Sequence, residues 1–394
     1  MVLKWKSRKE NCLKNMARGI VIGIDAGTSA IKIVIAEKRL PNELHILGTI
    51  QKASSGLRHG YVINSDAVTD AISKTIKEAE HISALAVKHA YLSIGGVKLE
   101  AAKSKGTIVV SRADNEVTEA DIKRAITQAE SNLAPIINRS IIHTIPLFYK
   151  VDGEMVLGQP AGMKGEKLEA EVLFVTSLNQ HLSALVKSAE MADINVDDIY
   201  AAPVAAGYAV LDKHQKEVGV VLIDIGAETT SMAVFEEGSL LSLAVFPFGS
   251  ANITNDIALG LKISLEEAEQ LKFNYVSDNQ KRKLTEIIEA RLDDIFELVG
   301  NHLKKIGRNE LLPAGVVLIG GGANLIEIEN FAKNSLKLPV KIGSPVISLK
   351  THDKQIQNPR WATALGLCVS GEKGPGLKPP SPSSILRWFK SFLP

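Results

Sequence analysis

Apolar residues alternate with polar or small ones in two stretches of this chain in a way that strands explain and helices do not. Residues 20–37 read IVIGIDAGTSAIKIVIAE: an apolar run, an Asp-x-Gly turn carrying two hydroxyls, then Ile31, Ile33 and Ile35 separated by Lys32 and Val34. A period of two marks that second segment as a strand. Residues 220–236, VVLIDIGAETTSMAVFE, repeat the plan when Asp224 is set against Asp25. Each copy is expected as a β-hairpin with a glycine-containing tip. A Rossmann fingerprint or a P-loop needs a strand running into a helix, so neither is expected. Two such hairpins far apart in the chain imply duplicated α/β domains facing each other.

Helical periodicity covers 66–84, 118–133, 179–191, 265–275 and 283–306. Thr118 is expected as an N-cap, with Glu119 and Asp121 favouring the helix start. A third glycine turn, Gly320-Gly321-Gly322-Ala323-Asn324, follows an expected strand at 316–319 and precedes an expected helix at 325–333. Between Val97 and Thr176 the texture changes. Strand-like pieces at 106–110, 140–149 and 169–175 flank the helix that starts at Thr118, and 158–165 reads as a loop. This segment is expected as a separate small β-α-β subdomain inserted after the first α/β unit.

The C-terminal end has its own pattern. Residues 371–382, GEKGPGLKPPSP, read as a semi-extended tether. In 383–394, SSILRWFKSFLP, a helical wheel puts Ile385, Leu386, Trp388, Phe389, Phe392 and Leu393 on one side. Arg387, Lys390 and the serines 383, 384 and 391 fill the other. Such a helix rises only about 16 Å, against about 30 Å of hydrocarbon core. The expectation is an amphipathic membrane-binding helix lying in the interface of an anionic surface.

Composition narrows the classes. Apolar content of 45% and charged content of 23% over 394 residues are those of a globular protein. The net charge of +2 is uneven. Lys4, Lys6, Arg8, Lys9, Lys14 and Arg18 face only Glu10 in residues 1–18, expected as a basic, disordered leader. The remainder is slightly acidic and shows no basic face, so no nucleic-acid partner is expected. No secretory h-region and no run of 18 apolar residues occurs. Cys12 and Cys368 lack CxxC spacing, which suits a reducing compartment. The histidines are scattered without HExxH spacing, and no transition-metal site is expected.

The chemistry lies in the hairpins. A phosphate tail needs close backbone N–H groups, hydroxyls and a metal to offset its charge. Gly27, Thr28 and Ser29 offer such a nest, and Lys32 a point charge. Asp25 is placed to hold Mg²⁺ through water. Asp224, with Gly226, Thr229 and Thr230, offers the same from the opposite side.

In that order the motifs resemble the nucleotide clamp of actin, Hsp70 and sugar kinases, and within it the FtsA family of bacterial cell-division proteins. The resemblance runs from about Gly19 to the last residue. It implies an α/β, actin-like two-lobed fold with duplicated mixed β-sheet domains, and ATP with Mg²⁺ as ligands. Residues 25–32 and 224–231 become the phosphate hairpins, and Gly320, Gly321, Gly322, Ala323 and Asn324 the adenosine turn. Glu269 and Lys272 would lie on a helix against adenine and ribose, with 202–208 and 360–367 as paired connecting helices. Asn255-Asp256-Ile257-Ala258 after Gly249 is also similar to FtsA. Glu116, Ile145-Pro146, Gly162-Met163-x-Gly165 and Leu168-Glu169-Ala170 resemble the subdomain peculiar to FtsA-type actins.

The implied division is a leader (1–18), a first actin-like domain (19–96), the FtsA-type insert (97–176) and a return to the first domain (177–210). A second actin-like domain (211–350) follows, with a helical subdomain at about 252–310. The closing helix (351–370), the tether (371–382) and the amphipathic helix (383–394) complete the chain. The second hairpin departs from the family's DxGGGTTD at Ala227, Glu228 and Ser231, and Glu228 would bring negative charge near the phosphates unless it faces solvent. Ala201–Ala205 lacks the polar side chain that positions water in actins, so the implied enzyme is at most a slow ATPase. The implied function is a filament of head-to-tail subunits on the inner face of the cell membrane at the division site. It would tether the FtsZ ring through the 250–310 region and recruit later division proteins. The 97–176 insert would be a polymer contact, a partner platform, or both. Alternatives on the same fold are a PilM-like pilus-assembly scaffold and a small-molecule kinase.

Overall fold

In the computed structural model, residues 19–40, 43–134, 137–274 and 278–370 are described. The leader at 1–18, the tether at 371–382 and the amphipathic helix at 383–394 lie outside them. Among the described residues, no helix is long and apolar enough to cross a membrane.

The first hairpin sits in the middle of a six-stranded sheet. Its order is Asn195–Ala201, His89–Ile94, Ile20–Ala26, Ala30–Leu40, Glu43–Ala53, Ser348–Lys350. Ile20–Ala26 runs antiparallel to Ala30–Leu40 and parallel to His89–Ile94. Ile31, Ile33, Val34 and Ile35 are all buried, so this strand is covered on both faces. The second hairpin, Val220–Ile225 and Thr230–Glu236, repeats the arrangement in a five-stranded sheet. There the order is Ser239–Phe246, Thr230–Glu236, Val220–Ile225, Val316–Ile319, Val340–Ile342.

Two helices, Ala202–Val210 and Ala362–Ser370, cross between the sheets. Their backbones approach so closely that a Cβ on Gly366 would lie 1.9 Å from the Ala205 carbonyl oxygen. The helices Ser250–Leu261, Leu265–Phe273 and Asp278–Lys305 form a helical layer on the second lobe. The last of these begins ahead of the expected residue 283. Apolar residues from both sheets, including Phe235, Leu240 and Leu243 of the second, share one core with the base of the insert. A separate core fills the outer part of the second lobe.

The insert is richer than the expected β-α-β unit. Its four strands lie in the order Glu100–Val109, Lys167–Leu178, Arg139–Val151, Glu154–Val156, and the helix Glu119–Ser131 packs on the sheet. A Cβ at Gly106 would come within 1.9 Å of the Ala125 carbonyl oxygen, which is how closely that helix lies. Thr118 does cap it, in a reciprocal box with Asp121. Burial opposes the charge of Asp121, but hydrogen bonds from Thr118, Arg124 and Ser111 outweigh it and hold the carboxyl well below its usual range.

One element after the glycine turn also differs from expectation. Gly322–Asn324 is a single 3₁₀ turn, and the helix is Ile328–Leu336, starting three residues later than 325. Leu325 and Ile328 are buried in the second lobe's core, and Glu327 takes a left-handed conformation at φ 62° to turn the chain into the helix.

Candidate functional site

Both hairpin tips close in the same way. The Gly27 N–H donates to the Ala30 carbonyl at 3.1 Å, and the Gly226 N–H to the Thr229 carbonyl at 2.9 Å. Asp25 pairs across its hairpin with Lys32, and Asp224 with Ser231, in matching register. Each aspartate ends a central strand flanked by a parallel neighbour, so the topology aims both carboxylates into one cleft between the lobes.

The carboxylates have different partners. Asp25 accepts from the Ser93 hydroxyl at 2.8 Å and from the Lys32 ammonium at 2.9 Å. Burial and the neighbouring Asp25 charge push Asp224 up to about 6, while Lys32 and the Thr363 hydroxyl pull the other way. Gly320, at φ 88°, passes so close that a Cβ there would sit 2.3 Å from Asp224 Oδ1. Gly321 by contrast has open space at its α-carbon and faces the cleft.

The cleft has a volume of about 520 Å³. Of the residues expected from sequence, it brings together Asp25, Gly27, Thr28, Ser29, Lys32, Asp224, Gly226, Thr229, Glu269, Lys272, Gly320 and Gly321. Thr230, Gly322, Ala323 and Asn324 stand behind that wall. The Thr230 hydroxyl donates to the Phe248 carbonyl at 2.8 Å, Gly322 and Ala323 are buried, and Asn324 exchanges amide hydrogen bonds with Asn358 at 3.3 and 2.9 Å. That amide pair, with the Gly320 N–H to Pro359 carbonyl bond at 3.2 Å, fastens the 320–324 glycine turn to the first lobe.

Glu269 and Lys272, on the helix that the resemblance sets against adenine and ribose, both line the cleft, and the Lys272 ammonium serves three acceptors within the protein. It reaches the Ser250 carbonyl at 3.1 Å, the Thr254 hydroxyl at 2.8 Å and Glu269 at 2.6 Å. Ser250 and Ala251 in turn donate their N–H groups to the Gly226 and Ala227 carbonyls, both at 2.8 Å. Lys272 therefore braces the helix start against the second hairpin. Glu228 is half-buried and is not among the residues lining the cleft; its carboxylate accepts the His59 backbone N–H at 2.6 Å.

Several lining residues escaped the sequence reading: Gln51, Gly60, Ser93, the Gly95-Gly96 pair, Arg360 and Thr363. The glycine doublet was a usable signal, and Arg360 and Thr363 lay inside the connecting segment already identified. Ser93 ends an apolar strand and carries no signal of its own.

Two carboxylates in one cleft, one raised by burial and by the other's charge, suit a divalent cation that completes its shell with water and phosphate oxygens. Among the described residues, no group of three acidic, histidine or cysteine side chains forms an all-protein metal cage. The donor set therefore fits Mg²⁺ carried by a phosphate ligand.

Comparison with known proteins bears on both fold and family. The model described as "Cell division protein FtsA" matches residues 221–366, and that of the "SHS2 domain inserted in FTSA" matches 96–176. The cell division protein FtsA of Pseudomonas aeruginosa is 31% identical over 375 residues, covering 89% of each chain. That of Neisseria meningitidis is 33% identical, covering 87% of this chain and 88% of the relative. That of Bacillus subtilis is 32% identical, covering 88% and 82%. Among solved structures, a chain of the PilM–PilN type IV pilus biogenesis complex superposes with a TM-score of 0.68 at 18% identity, covering 91% of this chain and all of that one. MreB5 of Spiroplasma citri bound to ADP gives 0.53 at 12% identity, covering 90% and 99%. The fold is thus the α/β, actin-like one that the resemblance implies.

Proposed function

The chain belongs to the FtsA family of cell division proteins, and from that premise we propose that it binds Mg-ATP in the cleft and polymerises head to tail on the inner face of the cell membrane. There it tethers the FtsZ ring and recruits later division proteins. The observation that carries the nucleotide part is the pairing of Asp25 and Asp224 at matched hairpin tips.

Mg-ATP, when bound, would supply the cation that offsets the charge of these two carboxylates and of its own phosphates. Thr28, Ser29 and Thr229 line the phosphate end, and Lys32 keeps one charge there while holding Asp25 in place. Lys272 orients Glu269 at the purine end. Ala202 lines the cleft where a water-positioning polar group would stand, in keeping with at most slow hydrolysis. Attachment falls to the amphipathic helix at 383–394: one short helix binds lipid weakly, and a filament presenting many gains avidity. FtsZ is assigned to the helical layer of the second lobe.

The test is co-sedimentation with anionic liposomes, with and without Mg-ATP, comparing the full chain with one stopped at Pro382. The expected result is pelleting of the full chain alone, with filaments on the vesicles when ATP is present. If both forms stay in solution, the tethering role falls.

A further inference from the structure

The segment from Gly56 to Val62 belongs to the first lobe yet touches both phosphate hairpins. The Gly60 N–H donates to the Thr28 hydroxyl at 3.3 Å, and the Val62 N–H to His181 Nδ1 at 3.4 Å. Gly60 packs against Gly96 so tightly that a Cβ on it would meet that backbone at 2.6 Å. Opposite stands Glu228, from the tip of the second hairpin. Its carboxylate accepts the His59 N–H at 2.6 Å, and with a proton on Nδ1 the His59 ring donates to the Glu228 carbonyl at 3.2 Å. His59 holds a left-handed backbone, φ 46°, tolerable for histidine but in need of support.

We propose that Glu228 is a latch. By gripping His59 through both its side chain and its main chain, it joins the two phosphate hairpins across the mouth of the cleft and slows release of a bound nucleotide. The charge that would repel phosphates is turned aside and spent on a charge-assisted hydrogen bond between the lobes. Because Gly60 also touches Thr28, the strap reads both tips at once. Glu228 is thus a positioning residue: it acts on the nucleotide only through the closure of the lobes. This inference rests on the cleft being a nucleotide site.

The experiment compares wild type with Glu228→Ala, Glu228→Gly and Glu228→Gln, using the full chain. It measures release of a fluorescent N-methylanthraniloyl ATP by stopped flow, and amide hydrogen exchange at His59 with and without nucleotide. The latch predicts release about tenfold faster in the alanine and glycine variants, with glutamine between them and wild type. It predicts faster His59 exchange in both nucleotide states. A glutamate that merely repels phosphates gives the opposite sign, slower release on removing the charge, and that result overturns the proposal. Unchanged His59 exchange overturns it as well. If wild type fails to bind the analogue, the nucleotide reading falls on that ground alone. The contact between the lobes is then decided by the His59 exchange.

Discussion

The Lys272 ammonium lies 2.6 Å from the Glu269 carboxylate with its own side chain only 1% exposed, while that of Glu269 is 53% exposed. Burial lowers the Lys272 pKa and the glutamate opposes the shift. Replacing Lys272 with methionine keeps the apolar stem but removes three hydrogen bonds that brace the Ser250 helix start. Glu269 can rehydrate, so the cost is smaller than for a fully buried pair. We expect about 2 kcal/mol lost in urea denaturation. A loss under about 0.5 kcal/mol would show that the brace carries no load.

His143 sets a pH dependence for the attachment of the insert. Its Nε2 accepts the Ala201 N–H at 3.0 Å, linking the insert to the first lobe's sheet, and burial pushes its pKa down to about 4. The unfolded chain therefore binds the extra proton between about pH 6.5 and 4, and stability falls as pH falls through that window. His181, likewise pushed down to about 4, acts with the same sign. Asp198 and Asp224, pushed up to about 6, act with the opposite sign, so the wild-type curve is a difference. His143→Gln retains an acceptor without titrating. The slope of its stability against pH should be lower than that of wild type by up to about 1.4 kcal/mol per pH unit between pH 4 and 6.5, whatever the sign of the wild-type slope. Parallel curves would remove His143 from the account.

Asp224 is expected to separate stability from ligand binding. Asn at this position removes a charge that burial and Asp25 both disfavour, so the nucleotide-free protein should gain about 1 kcal/mol at pH 7.5. On the proposed Mg-ATP reading the same change removes the charge that Asp224 would offer the cation, and Mg-ATP affinity measured by calorimetry should drop by about a hundredfold or more. Unchanged affinity would place the cation elsewhere.

How much of this was legible in the sequence depends on the distance over which each signal acts. The hairpins were readable because alternation is local, and the match of Asp25 with Asp224 carried through to a shared register and tip geometry. Strand Glu100–Val109 was seen only in its apolar end. Its first half, EAAKSK, puts Lys103 and Lys105 on an exposed face and so lacks the apolar pattern. Glu154–Val156 was hidden because Met155 is exposed and the strand is only three residues long. The bond between Glu228 and His59 joins residues 169 apart, and no periodicity reports on it.

The two glycines Gly366 and Gly321 make opposite predictions from the same substitution. At Gly366 an added methyl would sit 1.9 Å from the Ala205 carbonyl oxygen, backbone against backbone, with no flexible side chain to yield. Gly366→Ala must therefore spread the crossing helices, at an expected cost of about 3 kcal/mol. Thr363, one turn earlier on the same helix, bonds Asp224, so the displacement reaches the cleft and should weaken Mg-ATP binding too. At Gly321 the added methyl meets nothing within 4 Å, and the backbone there is right-handed helical at φ −65°. Gly321→Ala should leave urea stability within about 0.5 kcal/mol of wild type. Because Gly321 faces the cleft, the same methyl should still lower nucleotide affinity, about tenfold by calorimetry. A stable Gly366→Ala would mean the helices can part freely, and a Gly321→Ala protein that binds Mg-ATP like wild type would move the purine away from this turn.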